Sequence, residues 1–454
     1  MPKPVKAGGA RPHQSISIVD AAAFLIGIVI GIGIFKVPSL VANNVDSEAG
    51  FIGLWIFGGF VTLVGALCYA ELGSSHPSAG GEYHYLSRAY GHPIGVLFAW
   101  ARGTIIQTGA IAAVAFVYAD YMSVLIPLGA YSTAIHAGIA ILAITLLNIA
   151  GLQPTMKAQI VLTTLEVLAI VVVIVVGFYA TPGPQTPVPT LSQPIAAAGL
   201  AMVFVLLTYG GWNEAAYLSG EMKDVRRNLV RALLIATVSV TVLYTVINLA
   251  YLNAFGLAGL RKADVVAADL MRMVMGERGA VLLSIIIIIC ALSTLNATIF
   301  TGARVYYALG KDLAALHLLG RWVPDSHKPA NALIVQCAIA LALVVLGGLT
   351  RNGFQTMVEY TAPVFWFFLL LVGISVFILR GRKPEHQDAF RVPLYPLPPL
   401  IFCATCLWLL YSSLAYTGTG ALVGVAVLLA GTPLLLLARG TPEVTDLPDP
   451  PAKI

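Results

Sequence analysis

The chain has 454 residues, of which 58% are hydrophobic and only 10% are charged, and its mean hydropathy is +0.87. A soluble domain carries about 25% charged residues, so this composition excludes an ordinary soluble protein and indicates that the lipid bilayer is its solvent. The net charge of +5 includes no Lys- and Arg-rich run of the kind that follows phosphates, so nucleic acid is not an expected partner.

Twelve stretches of the chain are long and apolar enough to cross a bilayer. A membrane-spanning helix needs about 20 mostly apolar residues, and polar or Gly/Pro-rich turns separate such stretches along the whole sequence. The predicted fold class is therefore an all-α polytopic membrane protein with about 12 transmembrane helices. The long stretch at 94–125 is expected to be tilted. The predicted spans are 17–42, 50–73, 94–125, 132–151, 158–180, 195–219, 230–256, 279–309, 331–349, 354–379, 395–416 and 420–438.

The basic residues predict how these spans are oriented. With residue 1 in the cytoplasm, 19 of the 26 Lys and Arg residues fall on the cytoplasmic side, 6 fall on the outer side, and Arg102 lies within a span. Cytoplasmic loops are enriched in Lys and Arg. Both tails, 1–16 and 439–454, are therefore expected in the cytoplasm.

Two glycine-rich clusters interrupt the first and the sixth span at matching depths. Gly31 and Gly33 lie in the first span, and Gly210 and Gly211 follow Thr208 in the sixth. Five spans separate the starts of the two halves, so the halves run in opposite directions across the membrane. This pattern is typical of an inverted repeat in which broken helices surround a central binding site.

A break in a membrane helix frees backbone N–H and C=O groups that lipid cannot satisfy, so a ligand, an ion or a wet cavity must supply their partners. Half-helix N-termini attract an anionic group, and free carbonyls attract a cation. A zwitterionic α-amino acid carries both charges. The alternative is that the glycines only allow close helix packing, but their matched placement in both halves favours a binding site.

Five motifs resemble the amino acid–polyamine–organocation superfamily, and within it bacterial relatives of the L-type amino acid transporters. The resemblance covers nearly the whole chain. It implies a bacterial plasma-membrane protein with a leucine-transporter-type fold, in which inverted five-helix repeats at 17–180 and 195–379 precede two helices at 380–438. The motifs are Gly31-Ile-Gly-Ile-Phe35, Pro77-Ser-Ala-Gly-Gly-Glu-Tyr83, Tyr209-Gly-Gly-Trp-Asn213, Gly220-Glu-Met-Lys-Asp-Val-Arg-Arg-Asn228 and Phe390-Arg-Val-Pro-Leu-Tyr-Pro396.

The resemblance also implies which backbone groups of the two breaks hold substrate. Amides of the first break would hold the substrate carboxylate, and carbonyls of both breaks would hold its ammonium group. The implied amides are those of Gly31, Ile32 and Gly33, and the implied carbonyls are those of Val29, Leu207 and Gly210.

Side chains near the second break would select the substrate. Leu207 and Trp212 would shape the side-chain pocket and its outer gate, with Thr208 and Asn213 beside them. Two positions depart from the resemblance. Many relatives have Ser where Ile32 stands, so a hydroxyl donor to the carboxylate is missing, and human L-type relatives have the larger Phe where Leu207 stands.

Glu166 places a carboxyl group inside the fifth predicted span. It lies about nine residues into the span, roughly 14 Å deep, where an ionisable group is costly and is a functional candidate. The position resembles one that holds Lys in sodium-independent relatives, and Ser293 and Thr294 of the eighth span would be its neighbours. Three roles stay open: a proton carrier, a sodium ligand together with the two hydroxyls, or a permanently protonated brace.

Other polar residues within or beside the spans have more local interpretations. Gln107 of the third span is expected to face the substrate. Glu82 is expected to position its cytoplasmic loop or an inner gate. Glu214 is expected either to cap the pocket or to pair with a basic group, and solvation is the simplest account of Asp120 near the outer side.

Taken together, these features favour a secondary transporter of small to medium neutral L-amino acids that works by alternating access, through exchange or proton-coupled uptake. The alternatives are sodium-coupled symport, or transport of another amine or organic cation. The sequence has no H-E-x-x-H or G-x-S-x-G motif and no nucleotide-binding loop, so no enzyme activity, metal or cofactor is expected. Human L-type relatives bond a heavy subunit through a Cys between the third and fourth spans. The segment 126–133 has none, so a disulfide-linked heavy subunit is not expected.

Overall fold

The structure is a computed structural model that describes residues 18–78, 80–150, 156–182, 194–218, 224–312, 316–319, 330–350, 352–382, 389–415 and 418–437. The two tails at 1–16 and 439–454, and residues 220–223 of the fourth motif, lie outside the described residues. The α-helices in chain order are α1 Ile18–Val29, α2 Val37–Ala42, α3 Glu48–Ser75, α4 Gly81–Tyr90, α5 His92–Ala101, α6 Thr108–Leu125, α7 Ser132–Ala150, α8 Met156–Tyr179, α9 Pro194–Thr208, α10 Ala215–Leu218, α11 Val225–Leu260, α12 Val266–Asp312, α13 Ala330–Thr350, α14 Gly353–Arg380, α15 Leu397–Ala415, α16 Thr419–Ala430 and α17 Leu434–Leu437.

The described helices account for all twelve predicted spans and confirm the polytopic all-α fold. Within the part of the chain that the structure describes, nine helical stretches are long and apolar enough to cross a membrane. Three further apolar helices are shorter: Ala21–Phe35, Ala197–Thr208 and Gly420–Leu436. The first two of these belong to the spans in which a break was predicted.

The long third span contains an irregularity that the sequence did not reveal. A π-helical segment, Arg102–Gln107, separates α5 from α6 within the continuous stretch His92–Leu125. It takes up part of the extra length that had been attributed to tilt alone. Wide turns of this kind occur frequently at functional sites.

Two helices continue beyond their predicted spans through a glycine kink. α11 is kinked at Gly256 (φ 61°) and α12 at Gly276 (φ 70°). Both glycines adopt positive φ, which is cheap only without a Cβ. The kinks separate the membrane-crossing parts of the two helices from a short connection between 256 and 276.

The third span lies at the centre of the helix packing. α6 contacts α7, α12, α13 and α14, while α3 packs along α11. Large aromatic side chains fill the interior between these helices, and apolar side chains such as Leu146 and Val345 are exposed on the outside, where lipid would meet them. Arg102 of the π-helical segment contacts the sixth span, and Asp120 of α6 contacts the first span.

Candidate substrate-binding site and ion-pair clusters

The first and the sixth span both break at the predicted glycines. α1 ends at Val29, and after extended backbone at Gly31 (φ −111°, ψ 170°) the chain forms a 3₁₀ turn, Ile32–Phe35. In the sixth span, α9 ends at Thr208, and Gly211 adopts the left-handed conformation (φ 104°). Glycine tolerates that conformation at little steric cost, so the residue type and the break are directly linked.

The two breaks face each other at close range. A Cβ on Gly33 would lie 3.5 Å from the methyl carbon of Thr208, and a Cβ on Gly211 would lie 2.5 Å from Cγ2 of Ile28. A Cβ on Gly31 would meet only the carbonyl oxygen of Val29, at 3.9 Å. The sixth span therefore packs tightly on the first, while space remains beside Gly31.

Tyr244 of α11 joins the two breaks, a contact that sequence reasoning missed. Its hydroxyl donates to the carbonyl oxygen of Val29 at 2.7 Å and to that of Thr208 at 3.3 Å. The signal in the sequence was a tyrosine in the middle of an apolar span, because a buried phenol needs a hydrogen-bond partner.

The carbonyls expected to hold the ammonium group differ in the number of hydrogen bonds that they already accept. The oxygen of Val29 accepts from the amide of Gly31 at 2.8 Å as well as from Tyr244. The oxygen of Leu207 accepts from the amide of Gly210 at 3.1 Å. A carbonyl oxygen has two lone pairs, so both lone pairs of Val29 are used and one of Leu207 is available.

Two side chains that follow the second break pack against neighbouring elements. Trp212 is 5% exposed, and its ring packs against the rings of Tyr69 and Phe402, at centroid distances of 4.8 and 6.1 Å. The amide nitrogen of Asn213 donates to Glu82 at 3.0 Å. These contacts follow the left-handed turn at Gly211 and the 3₁₀ turn after it. A role for Trp212 in the side-chain pocket and its outer gate stays a prediction.

Gln107 lies between the third and the eighth span. Its amide nitrogen donates to the carbonyl oxygen of Thr298 at 2.9 Å and to the hydroxyl of Thr301 at 3.1 Å, both on α12. This anchoring differs from an amide turned toward substrate. A role for Gln107 as a substrate ligand stays a prediction.

Glu166 is buried on α8, with 5% exposure, between α11 and α12. Its Oε1 atom has no hydrogen-bond partner among the described residues. Its electrostatic neighbours are Tyr244 and Cys290. On α12 the hydroxyl of Thr294 donates to the carbonyl of Cys290 at 3.2 Å, and Ser293 is buried one residue earlier. Glu166 therefore lies beside the tyrosine that bridges the breaks.

A cluster around Arg102 ties the sixth span to the third span and to the loop helix α4; we call it the Arg102 cluster. Arg102 contacts Glu82 at 2.9 Å and Glu214 at 2.6 Å. The other oxygen of Glu82 accepts from the hydroxyl of Tyr69 at 2.5 Å and from Asn213. Burial raises the pKa of Glu82, while Arg102 opposes that shift. Glu214 was expected either to cap the pocket or to pair with a basic group, and it pairs with Arg102.

A second cluster holds the other side of the first break; we call it the Lys36 cluster. Lys36 forms an ion pair with Asp120 at 2.8 Å and donates to the carbonyl of Asp264 at 3.0 Å. The hydroxyl of Tyr121 donates to the carbonyl of Phe35 at 3.0 Å. Solvation was therefore the wrong account of Asp120, because the side chain is largely buried against the lysine that follows the 3₁₀ turn.

The chain has clear similarity to known proteins. The family described as amino acid permease matches residues 16–432. The large neutral amino acids transporter small subunit 2 of Homo sapiens is 29% identical over 95% of this chain and 81% of its own length. The serine/threonine exchanger SteT of Bacillus subtilis (strain 168) is 29% identical over 93% and 96%. The Asc-type amino acid transporter 1 of Mus musculus is 26% identical over 93% and 81%.

Proposed function

Because this chain belongs to the amino acid permease family and is an amino acid transporter rather than an enzyme, we propose that it carries small to medium neutral L-amino acids by alternating access. The observation that carries this proposal is the pair of broken helices that meet at Gly33 and Thr208. Backbone amides and carbonyls at such a meeting point complement both charges of a zwitterion.

The substrate binds through backbone groups of both breaks. Its carboxylate accepts from the amides of Ile32 and Gly33, beside the open space at Gly31. The amide of Gly31 joins them when it releases the carbonyl of Val29, to which it donates at 2.8 Å. Its ammonium group donates to the carbonyls of Leu207 and Gly210. Val29, whose oxygen already accepts two hydrogen bonds, serves this site by shaping the break rather than as an ammonium ligand.

The preference for small to medium side chains rests on Ile32 and Leu207. Both are apolar; Ile32 is buried and Leu207 is half-buried. Apolar walls favour uncharged side chains because burying a charge without a partner is costly. Competition of unlabelled alanine, serine and leucine with a labelled neutral amino acid tests this selectivity. The proposal would be contradicted if lysine and glutamate inhibited uptake and the three neutral amino acids did not.

Exchange is the leading mode of transport, and one relative is itself named as a serine/threonine exchanger. Proton-coupled uptake is the second candidate, because the Oε1 atom of Glu166 is buried without a hydrogen-bond partner among the described residues. Sodium binding by Glu166, Ser293 and Thr294 is the third candidate and uses the same site.

Purified protein in liposomes distinguishes these modes. The liposomes contain either a mixture of neutral amino acids or buffer alone, and uptake of labelled alanine, serine and leucine is followed with and without a proton or sodium gradient. Uptake that needs internal amino acid and ignores both gradients supports exchange. Accumulation in empty liposomes under one gradient identifies that ion as the driver. Failure of all three amino acids to enter under any condition would contradict the proposed substrate class.

Orientation and assembly are part of the same proposal. The excess of Lys and Arg on one side favours both termini in the cytoplasm of the cell. The absence of Cys from 126–133 favours a transporter without a disulfide-linked heavy subunit. Labelling of single cysteines added to each tail of the intact protein, in cells and in broken membranes, tests the orientation.

A further inference from the structure

A basic recess opens where α3 and α14 end and the chain leads into α15. Its polar lining includes Glu71, His76, Arg380, Arg382 and Arg391. Three arginines and one glutamate thus line the recess. The transport site does not use this recess, and the Phe390–Pro396 motif that borders it has no role in the proposed function.

The motif is anchored so that it holds one arginine at the recess. The amide of Val392 donates to Oε2 of Glu71 at 2.6 Å, and the amide of Phe390 donates to the hydroxyl of Ser74 at 3.1 Å. Arg391 lies between these two anchored residues. Glu71 is one carboxylate beside three guanidinium groups, so it neutralises only part of the surrounding positive charge.

Arg380 supplies an unused donor within the same recess. Its Nε atom lies 3.5 Å from Oε1 of Glu71, and its guanidinium lies 3.8 Å above the ring of Tyr395. Its Nη1 atom is buried and has no hydrogen-bond partner among the described residues. A buried guanidinium N–H without an acceptor is costly, so an anion in the recess would remove that cost.

Exposed apolar side chains continue from the recess along the outside of the protein. Leu394 is 79% exposed, and Leu397 and Leu400 at the start of α15 are more than half exposed. α15 is one of the helices able to cross the membrane. The recess therefore lies where the polar surface of the protein meets the apolar surface of a membrane span.

We propose that the basic recess binds a phosphodiester anion, the headgroup of an anionic phospholipid whose acyl chains lie along the exposed leucines of α15. Arginine recognises phosphate oxygens through paired N–H groups, and basic pockets at the ends of membrane helices attract anionic headgroups. A free phosphate ion shares the headgroup chemistry but would gain nothing from the leucines.

Thermal unfolding of the purified full-length protein in detergent tests the site. Phosphatidylglycerol, phosphatidylcholine and inorganic phosphate are added separately to the wild type and to the variants R382Q, R391Q and R382Q/R391Q. The control is R227Q/R231Q, which removes two exposed arginines of α11 outside the recess. We expect phosphatidylglycerol to raise the Tm of the wild type and the control, and each recess substitution to weaken lipid affinity roughly fivefold.

The outcomes separate the sources of the anion. A rise in Tm with phosphatidylglycerol alone, lost in R382Q/R391Q, supports a lipid site. An equal rise with inorganic phosphate, lost in the same variant, supports the anion site but contradicts the lipid as its occupant. The proposal is overturned if neither anion changes the Tm, if phosphatidylcholine acts equally well, or if R382Q/R391Q keeps the full response.

Discussion

Tyr244 supports both halves of the proposed binding site with one hydroxyl group. Replacing it by Phe leaves the carbonyls of Val29 and Thr208 without this buried donor. We expect Y244F to lower the free energy of unfolding by about 1–3 kcal/mol and to raise the apparent KM for substrate about tenfold, because the break that carries the ligands loosens. Thermal unfolding and initial uptake rates measure the two effects.

Tyr251 provides the matched control for that change. It lies two turns further along α11 and is fully buried, and its hydroxyl has no hydrogen-bond partner among the described residues. Y251F should therefore change stability and KM far less than Y244F. A lower KM in Y244F would mean instead that the tyrosine competes with the ammonium group for Val29.

Replacing Glu166 by glutamine distinguishes a coupling role from a structural role. E166Q keeps the size and removes the ability to ionise, so a coupling role predicts that the dependence of uptake on a proton or sodium gradient is lost while the protein remains folded. Uptake in liposomes and thermal unfolding check both points.

Glu359 of α14 is the control carboxylate for Glu166. Its oxygens accept from Gln355 at 3.1 Å and from the amide of Gly418 at 3.3 Å, so it already has partners. E359Q should keep the gradient response of the wild type. Unchanged uptake together with unchanged ion dependence in E166Q would leave Glu166 as a brace between α8 and its neighbours.

At the scale of the helical element, the glycines of the two broken spans have different roles: Gly211 is required by the backbone conformation, and Gly31 by the proposed carboxylate site. G211A forces a side chain into the left-handed region and within 2.5 Å of Ile28, so we expect a loss of at least about 2 kcal/mol in stability. G31A has room for its methyl group and should keep the Tm, while substrate uptake falls because the methyl group enters the proposed carboxylate site.

Gly53 of α3 is the control for these alanine substitutions. No atom lies within 4 Å of the position that its Cβ would occupy, and alanine is favoured over glycine inside a helix. G53A should preserve both Tm and uptake. Equal losses of stability in G31A and G211A would show that Gly31 serves packing only.

The breaks could be predicted from the sequence because they depend on local chemistry. Paired glycines and the interruption of an apolar run are both visible in the order of residues. The direction of Trp212 could not be predicted, because it depends on the 3₁₀ turn that follows Gly211 and on space beside Gly65, where a Cβ would lie 2.7 Å from the indole ring. Such packing is set by a helix distant in sequence.

At the scale of the whole molecule, the ion pairs of the Arg102 and Lys36 clusters could not be predicted from the sequence either. Lys36 lies in the first predicted span and Asp120 in the third, and nothing in their spacing indicates that they meet. Arg102 was assigned to a span without partners. The number of spans is predicted by the apolar stretches, and the inverted arrangement by the matched glycine clusters five spans apart. The pairing of charges depends instead on how the helices are assembled.

The third span carries a charged partner for each broken helix. Arg102 and Asp120 are 18 residues apart on it, about 27 Å along a helix axis. Arg102 holds the second half of the sixth span through Glu214, and Asp120 holds the second half of the first span through Lys36. In the proposed alternating-access cycle and the predicted orientation, the Arg102 cluster would open toward the cytoplasm and the Lys36 cluster toward the outside, each while the other stays closed.

Neutralising one cluster should therefore bias the transporter toward one side. R102Q leaves Glu82 and Glu214 without their shared cation and favours the state open to the cytoplasm. The apparent KM on the outer face should therefore rise about tenfold, because apparent affinity falls with the population of the state that can bind substrate on that face. D120N should raise the apparent KM on the cytoplasmic face instead, and the double variant should lie closer to the wild type on both faces. Uptake into right-side-out and inside-out vesicles measures each KM, with thermal unfolding to confirm folding. If R102Q and D120N shift the KM on the same face in the same direction, the two clusters are not opposing gates.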